Sequence, residues 1–341
     1  MNAAQRTPLR PGDRVVGKWS RQEWTVQAQL GAGANGAVYS VRGTDGALYA
    51  MKVCDDVGAV AFEWGLLEQL SSTGFAFPKP HCIDDSATHP ALYFYVMEQV
   101  EGRPLDEIWK TLSSHDVKRV LLGVGYGLRA LHKSQHAFCD VKPQNLLVDL
   151  RKNQCVRFVD VGGVTPFGRS VRQFTPTSDA AYWGFGERRA SARYDIEAVA
   201  LMVATLFESV PQSLPQWPVE RRQAWILRSI RGRHDKSVGA MLEDAVRGRI
   251  HTADEFVRRL YTLNLRSTSV VKQSAPKART RAPRSATAPT AGQRRGPFGN
   301  KPVHSSAKAR RRSADWTERL MWWALTCAVI STAGAWAEYL R

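Results

Sequence analysis

The chain changes character at about Leu265, and that change limits what can fold. Residues 266–313 are rich in Ser, Ala, Pro, Lys and Arg, and Phe298 is their only aromatic residue. A stretch so poor in apolar surface does not offset the entropy of ordering it, so the expectation is a disordered basic linker over 266–319. That linker carries fourteen Lys/Arg against two Asp/Glu, which is +12 of the formal +17. The positive charge therefore says little about the folded part. The plain reading of the linker is a solvated spacer. A sharper one is contact with anionic lipid, since several cations lie just before an apolar segment. The lack of interleaved aromatics disfavours nucleic acid.

That apolar segment is "LMWWALTCAVISTAGAWA", residues 320–337, 18 residues without a charge. As a helix it would be about 27 Å long, close to the ~30 Å hydrocarbon core of a bilayer. Trp322 and Trp323 lie near one end, Trp336 and Tyr339 near the other, as in interfacial aromatic belts. The expectation is a transmembrane helix over 320–338. A helix packed on the folded domain or lying in the interface is the alternative. Arg310, Arg311, Arg312 and Arg319 all precede the span, so the domain before it should face the cytoplasm. Small residues four apart in "STAGAWA" are compatible with helix association, and hence with a homo-dimer.

The fold must then lie within residues 14–265, after a loose arm over 1–13. The opening "MNAAQRTPLRPGDRV" has no apolar core region, so no secretory signal is expected. The five cysteines form no CxxC, which favours free thiols in a reducing compartment. Val15 to Val53 reads as short strands broken by Gly, with "GALYAMKVC" (46–54) the clearest. "AFEWGLLEQL" (61–70) has helical spacing: Phe62, Leu66, Leu67 and Leu70 share a face, with Glu63 beside it. "ALYFYVMEQV" (91–100) reads as a buried strand, and 115–134 and 195–209 as long apolar helices. Strands early and helices late suggest an α+β, two-lobed arrangement.

Several stretches carry chemistry. "LGAGANGAVY" (30–39) sets Gly31, Gly33 and Gly36 in a GxGxxG pattern, followed by Val38. Glycines let a hairpin backbone approach phosphates closely, though a plain glycine-rich hairpin reads the same. A dinucleotide site needs a helix next, and here another strand, "AVYSV", follows. Lys52 stands sixteen residues after Gly36, on a buried strand, where its charge needs a partner. Glu63 is the natural one, unless Lys52 lies on an exposed edge. In "HAFCDVKPQNLLVD" (136–149), Asp140 can orient a hydroxyl proton, Lys142 can neutralise phosphate charge, and Asn145 offers oxygen to a hard cation. In "RFVDVGG" (157–163), Asp160 suits Mg²⁺, which takes one or two carboxylates plus phosphate oxygens.

In order and spacing these motifs resemble the eukaryotic-type (Hanks-type) Ser/Thr protein kinase family, over roughly residues 20–265. The resemblance implies a bilobal kinase fold, with a β-rich N-lobe over about 14–98 and a helical C-lobe over about 99–265. It also implies transfer of the ATP γ-phosphate to protein hydroxyls, with Mg²⁺. Lys52 in "AMK" is similar to the family's VAIK lysine, with Ala50 against the adenine and Glu63 as its helix partner, preferred to Glu68. "VMEQVEG" (96–102) resembles the interlobe hinge, with Met97 as gatekeeper and Glu98 to Val100 bonding adenine. Gly31, Gly33, Gly36 and Val38 would cover the phosphates. Asp140 and Lys142 would be catalytic, and Asn145 and Asp160 would hold the metal. Asp195 resembles the anchor of the catalytic loop. Arg249 in "RIHTADEF" would pair with Glu187 in "GFGE".

The departures are Phe138 and Cys139, where the family carries His and Arg, and Val161 in place of the DFG Phe. Phe138 and Val161 can still pack in an apolar column between lobes. Cys139 carries no charge for a phosphorylated loop to neutralise, so loop phosphorylation loses its main electrostatic reason. Thr165, Ser170, Thr175, Thr177 and Ser178 are candidate sites for it, and the GTxxY part of the substrate platform is not cleanly readable. A pseudokinase scaffold and a small-molecule kinase are the alternatives. Lys52, Asp140 and Asp160 argue against the first, and Lys142, Asp195 and the expected Glu187–Arg249 pair against the second. The compact chain and C-terminal span resemble bacterial members, implying an inner membrane with the kinase domain cytoplasmic.

Overall fold

The computed structural model describes residues 8–263, apart from 34–35, 73, 75, 173 and 234–235. The segments expected to form the basic linker and the membrane span lie outside the described residues. Among the described residues, no helix is long and apolar enough to cross a membrane.

The first part is an antiparallel six-stranded sheet in the order β1-β2-β3-β4-β6-β5. Its strands are β1 (Arg14–Val16), β2 (Glu23–Gly33), β3 (Gly36–Gly43), β4 (Leu48–Cys54), β5 (Pro80–Asp85) and β6 (Tyr93–Glu98), with helix α1 (Val57–Ser71) between β4 and β5. Side chains alternate between sheet faces, and two apolar clusters divide accordingly. Met51, Val53, Phe94 and Val96 join Val15, Trp24, Tyr39 and Val41 on one face. Ala50, Cys54, Tyr95 and Met97 join α1 and the helical lobe on the other. Lys52 falls between Ala50 and Cys54 by this parity, so its ammonium points at α1 and the interlobe cleft. Asp56 caps α1, accepting from the N–H groups of Gly58 and Ala59.

The arm expected over 1–13 is not loose over its described part. Leu9 is buried in the sheet cluster, and the Gly12 N–H donates to Val26 O at 2.8 Å. A single apolar residue between prolines carried no periodicity to announce this.

The second part is helical. After β7 (Arg103–Pro104) and the single turn α2 (Leu105–Ile108) comes α3 (Ser114–Lys133). Small β-pairs follow, from β8 (His136–Ala137), β9 (Leu146–Val148), β10 (Val156–Phe158) and β11 (Thr165–Pro166). Then come α4 (Ala180–Trp183), α5 (Ala192–Phe207), α6 (Val219–Arg233), α7 (Lys236–Val246) and α8 (Ala253–Thr262). Every residue of α5 from Tyr194 to Ala204 is buried, so α5 is the axis on which the other helices pack. The β8–β11 and β9–β10 pairs hold the loops that face the sheet, and these loops carry the chemistry.

Candidate active site

Lys52 sits on β4 opposite Tyr95 of β6. Its Nζ donates to Glu63 Oε2 at 2.7 Å and to Asp160 Oδ1 at 3.0 Å. Three distant stretches of chain thus meet at one ammonium. Lys52 and Glu63 side chains are only 5% and 3% exposed. Burial acts to lower the Lys52 pKa, but the charges of Asp160 and Glu63 outweigh it and hold the ammonium well above its usual range. Burial raises Asp160 in turn, and Lys52 overcomes this to hold its carboxyl below the usual range. Glu63 is pushed up by burial against the pull of Lys52. Tyr95, which the sequence reading did not single out, donates its hydroxyl to the same Glu63 Oε2 at 2.7 Å. Glu68 is exposed on the other side of α1.

The catalytic-loop candidates lie between β8 and β9. Asp140 is buried, and Lys142 Nζ donates to its Oδ2 at 2.5 Å. Asn145 Nδ2 bonds the Asp140 carbonyl at 3.0 Å and Oδ2 at 3.1 Å. Its amide thereby turns its nitrogen to Asp140 and leaves its oxygen to face elsewhere. Asp195, on the buried axis α5, accepts the N–H groups of Phe138 at 2.7 Å and Cys139 at 2.8 Å, and contacts His132 Nε2 at 2.9 Å. Phe138 and Val161 are fully packed, Phe138 edge-on to Phe158 at 4.9 Å between centroids. Cys139 is buried with a left-handed φ of 64°, and burial pushes its thiol up.

A further residue belongs here. Thr175 Oγ1 donates to Asp140 Oδ1 at 2.9 Å, from 35 residues further along the chain. No motif in the sequence announced this contact. Of the other hydroxyls considered for modification, Thr165 and Ser178 are buried.

The pairing expected between Arg249 and Glu187 is not made. Arg249 bonds Asp244 at 3.0 Å, and Glu187 is exposed. The ion pair made in this region joins the exposed Arg193 to the buried Glu197, one turn apart on α5, at 2.7 Å. Gly186 lies against the Glu197 carboxylate and Gly248 against the Arg193 guanidinium. The pair therefore reaches both the end of the segment after Asp160 and the turn after α7, and leaves Glu187 and Arg249 no reason to meet.

The glycine hairpin joins β2 and β3, with Gly33 opposite Gly36. Gly36 has φ +122°, and a Cβ there would lie 2.1 Å from Val53 O. Only glycine fits. Around Gly31 and Gly33 a Cβ would meet nothing within 4 Å, which leaves room for a ligand beneath the strand ends. Val38 pairs with Lys52 and Ala50 with Met97 across the sheet. At the hinge, the Glu98 N–H is bonded to Lys79 O at 2.8 Å. The Glu98 carboxylate receives Arg157 at 2.7 and 3.0 Å, and this hydrogen bonding lowers its pKa. The Glu98 N–H is thus already taken and is not the hinge donor for a base.

The donor set fits MgATP. One carboxylate, Asp160, and one amide oxygen, Asn145, suit a metal that keeps phosphate oxygens among its ligands. A buried ammonium beside them suits the phosphates.

A β-sheet with one helix set over a helical lobe, with such a cleft between them, defines a kinase-type scaffold. The chain matches the Protein kinase domain family over residues 24–216, more than half its length, and belongs to that family. It is 34% identical over 200 residues to the Serine/threonine-protein kinase YabT of Bacillus subtilis (strain 168). That match takes in 57% of this chain and 59% of the relative, so the chain spans well under two thirds of the relative's length. Among solved structures, vaccinia related kinase 3 superposes with a TM-score of 0.53 at 14% identity, over 75% of this chain and 92% of that one. At that identity the likeness concerns the fold.

Proposed function

We propose that the protein is a Ser/Thr protein kinase that transfers the ATP γ-phosphate to protein hydroxyls. The observation that carries this reading is the single buried ammonium of Lys52, bonded at once to Glu63 and Asp160 and facing the Asp140–Lys142–Asn145 loop. The relative's printed name supports the hydroxyl class. MgATP would supply the activated phosphoryl group and an anionic leaving group. Lys52, fixed by Glu63, would position the phosphates. Asp160 and the Asn145 carbonyl oxygen would hold the metal. Asp140 would accept the proton of the attacking hydroxyl, with Lys142 beside it to balance charge on the moving phosphoryl group. The new P–O bond to the hydroxyl oxygen forms as the β–γ bridging bond breaks, and ADP leaves.

The proposal includes anchoring of this domain to a membrane by residues 320–338, with the domain on the cytoplasmic side. The support is the uncharged apolar run with aromatics at both ends and cations before it. Membrane fractionation of the full chain against a chain ending at residue 265 tests that part. For the chemistry, wild type should transfer label from γ-labelled ATP, and Asp160→Ala should lose transfer by about a thousandfold or more while keeping its circular dichroism. Equal incorporation by both rejects the assignment. Absence of transfer at millimolar MgATP with nucleotide still bound would return the protein to a binding scaffold.

A further inference from the structure

Asp140 is held from two directions. Lys142 and Asn145 come from its own loop, and Thr175 comes from the segment that crosses in front of it. Thr175 lies outside any strand; its carbonyl accepts the Ser178 N–H of a short 3-10 turn at 2.8 Å, which holds its backbone but makes no use of its hydroxyl. Its neighbour Phe174 is 40% exposed, too exposed to be fixed by core packing. The guanidinium of Arg188 lies over the Phe174 ring at 4.1 Å. Arg188 is pinned from its other side, where Nε donates to Asp179 Oδ2 at 2.7 Å. Asp179 is wholly buried. It also accepts from the N–H groups of Ala181 at 3.3 Å and Tyr182 at 3.1 Å and from the Tyr194 hydroxyl at 3.1 Å. The far end of this chain of contacts is therefore tied to α4 and to the axis helix α5.

We propose that Arg188 is a positioning residue, shared between the buried Asp179 and the Phe174 ring, that sets the Thr175 hydroxyl on Asp140. The inference rests on the kinase reading above and names how its hydroxyl-activating carboxylate is kept in place. Cys139 brings no charge to the catalytic loop, and the cation that orders residues 174–179 comes from their own segment. A cation over an aromatic face needs no modification to form, so the arrangement is complete as synthesised.

The test uses the full chain, MgATP and myelin basic protein as a generic acceptor. Arg188→Ala strands a buried carboxylate and risks unfolding, so the informative variants are Phe174→Ala, which leaves the Arg188–Asp179 pair intact, and Arg188→Lys, which keeps the charge. Each should lower kcat about three- to tenfold with KM for ATP held within about twofold. Neither should lower kcat further in a Thr175→Ala background, because both act through that hydroxyl. Unchanged kcat, or effects that multiply with Thr175→Ala, overturns the proposal. Hydrogen exchange over residues 174–178 should speed up in both variants whether or not transfer is seen, and unchanged exchange also overturns it. Wild type without transfer to any acceptor, but with the exchange response, would fail the kinase reading and leave the positioning chain standing.

Discussion

The buried carboxyl of Glu197 on α5 makes a measurable demand on pH. Glu197 is buried, and its carboxyl is pushed up from 4.5 to about 7, chiefly by burial and against the hydrogen bond from Arg193. A carboxyl that holds its proton more tightly when folded stabilises the folded state most at low pH. At about 1.4 kcal/mol per pKa unit, the contribution is about 3 kcal/mol. It is complete below pH 4.5, the unfolded value, and is lost as pH rises through 7. Glu197→Gln keeps the shape beside Gly186 and removes the titration. In urea unfolding of the full chain at pH 4.5, 6, 7 and 8, wild type should lose about 3 kcal/mol relative to the variant across that range. Parallel stability curves would refute the reasoning. So would a variant that loses ground as pH rises, because the Arg193 charge would then outweigh burial.

Three further outcomes follow from particular contacts. A Cβ on Gly127 of α3 would lie 2.2 Å from the Phe158 ring, which is already wedged between Phe77 and Phe138. Gly127→Ala should therefore destabilise the chain by about 1–3 kcal/mol or more in denaturant melts despite its better helix propensity. Arg172 lies over the Phe62 ring at 4.9 Å, one residue before Glu63. Arg172→Ala and Phe62→Leu should each lower kcat/KM for ATP about two- to fivefold without multiplying in the double variant. With Cys139 uncharged, phosphatase-treated protein carrying Ser170→Ala and Thr177→Ala should keep most of its transfer rate in single-turnover assays, whereas a family member that needs a loop phosphate would lose it.

What could be read from residue order alone was whatever strand parity or charge cost enforces. Lys52 was legible because a buried ammonium on a strand demands a carboxylate, and the family resemblance, through the register of Glu63 with Leu67 and Leu70, favoured Glu63 over Glu68. Helix α1 was legible from its apolar spacing and α3 and α5 from their apolar length, within four residues at α1, three at α5 and one at α3. Thr175 was not, because it reaches Asp140 from a segment with no periodicity. Tyr95 was hidden because an apolar strand accounts for a tyrosine without any hydroxyl partner. The expected Glu187–Arg249 pair failed for a different reason. Glu197, one helix along, already satisfies that region with Arg193, and sequence spacing cannot rank two carboxylates that compete for one place.

The departures at 138, 139 and 161 gain a physical account from the same contacts. Asp195 grips the loop through the backbone N–H groups of Phe138 and Cys139, not through their side chains. Any side chain that packs there and tolerates the left-handed φ at 139 leaves that grip unchanged. Asp140, Lys142 and Asn145 differ, because each contributes through its own side chain. The loop can therefore change at its backbone-held positions while its side-chain-held positions stay fixed. A charge at 139 becomes dispensable once Arg188 and Asp179 order the segment that it would otherwise have to attract.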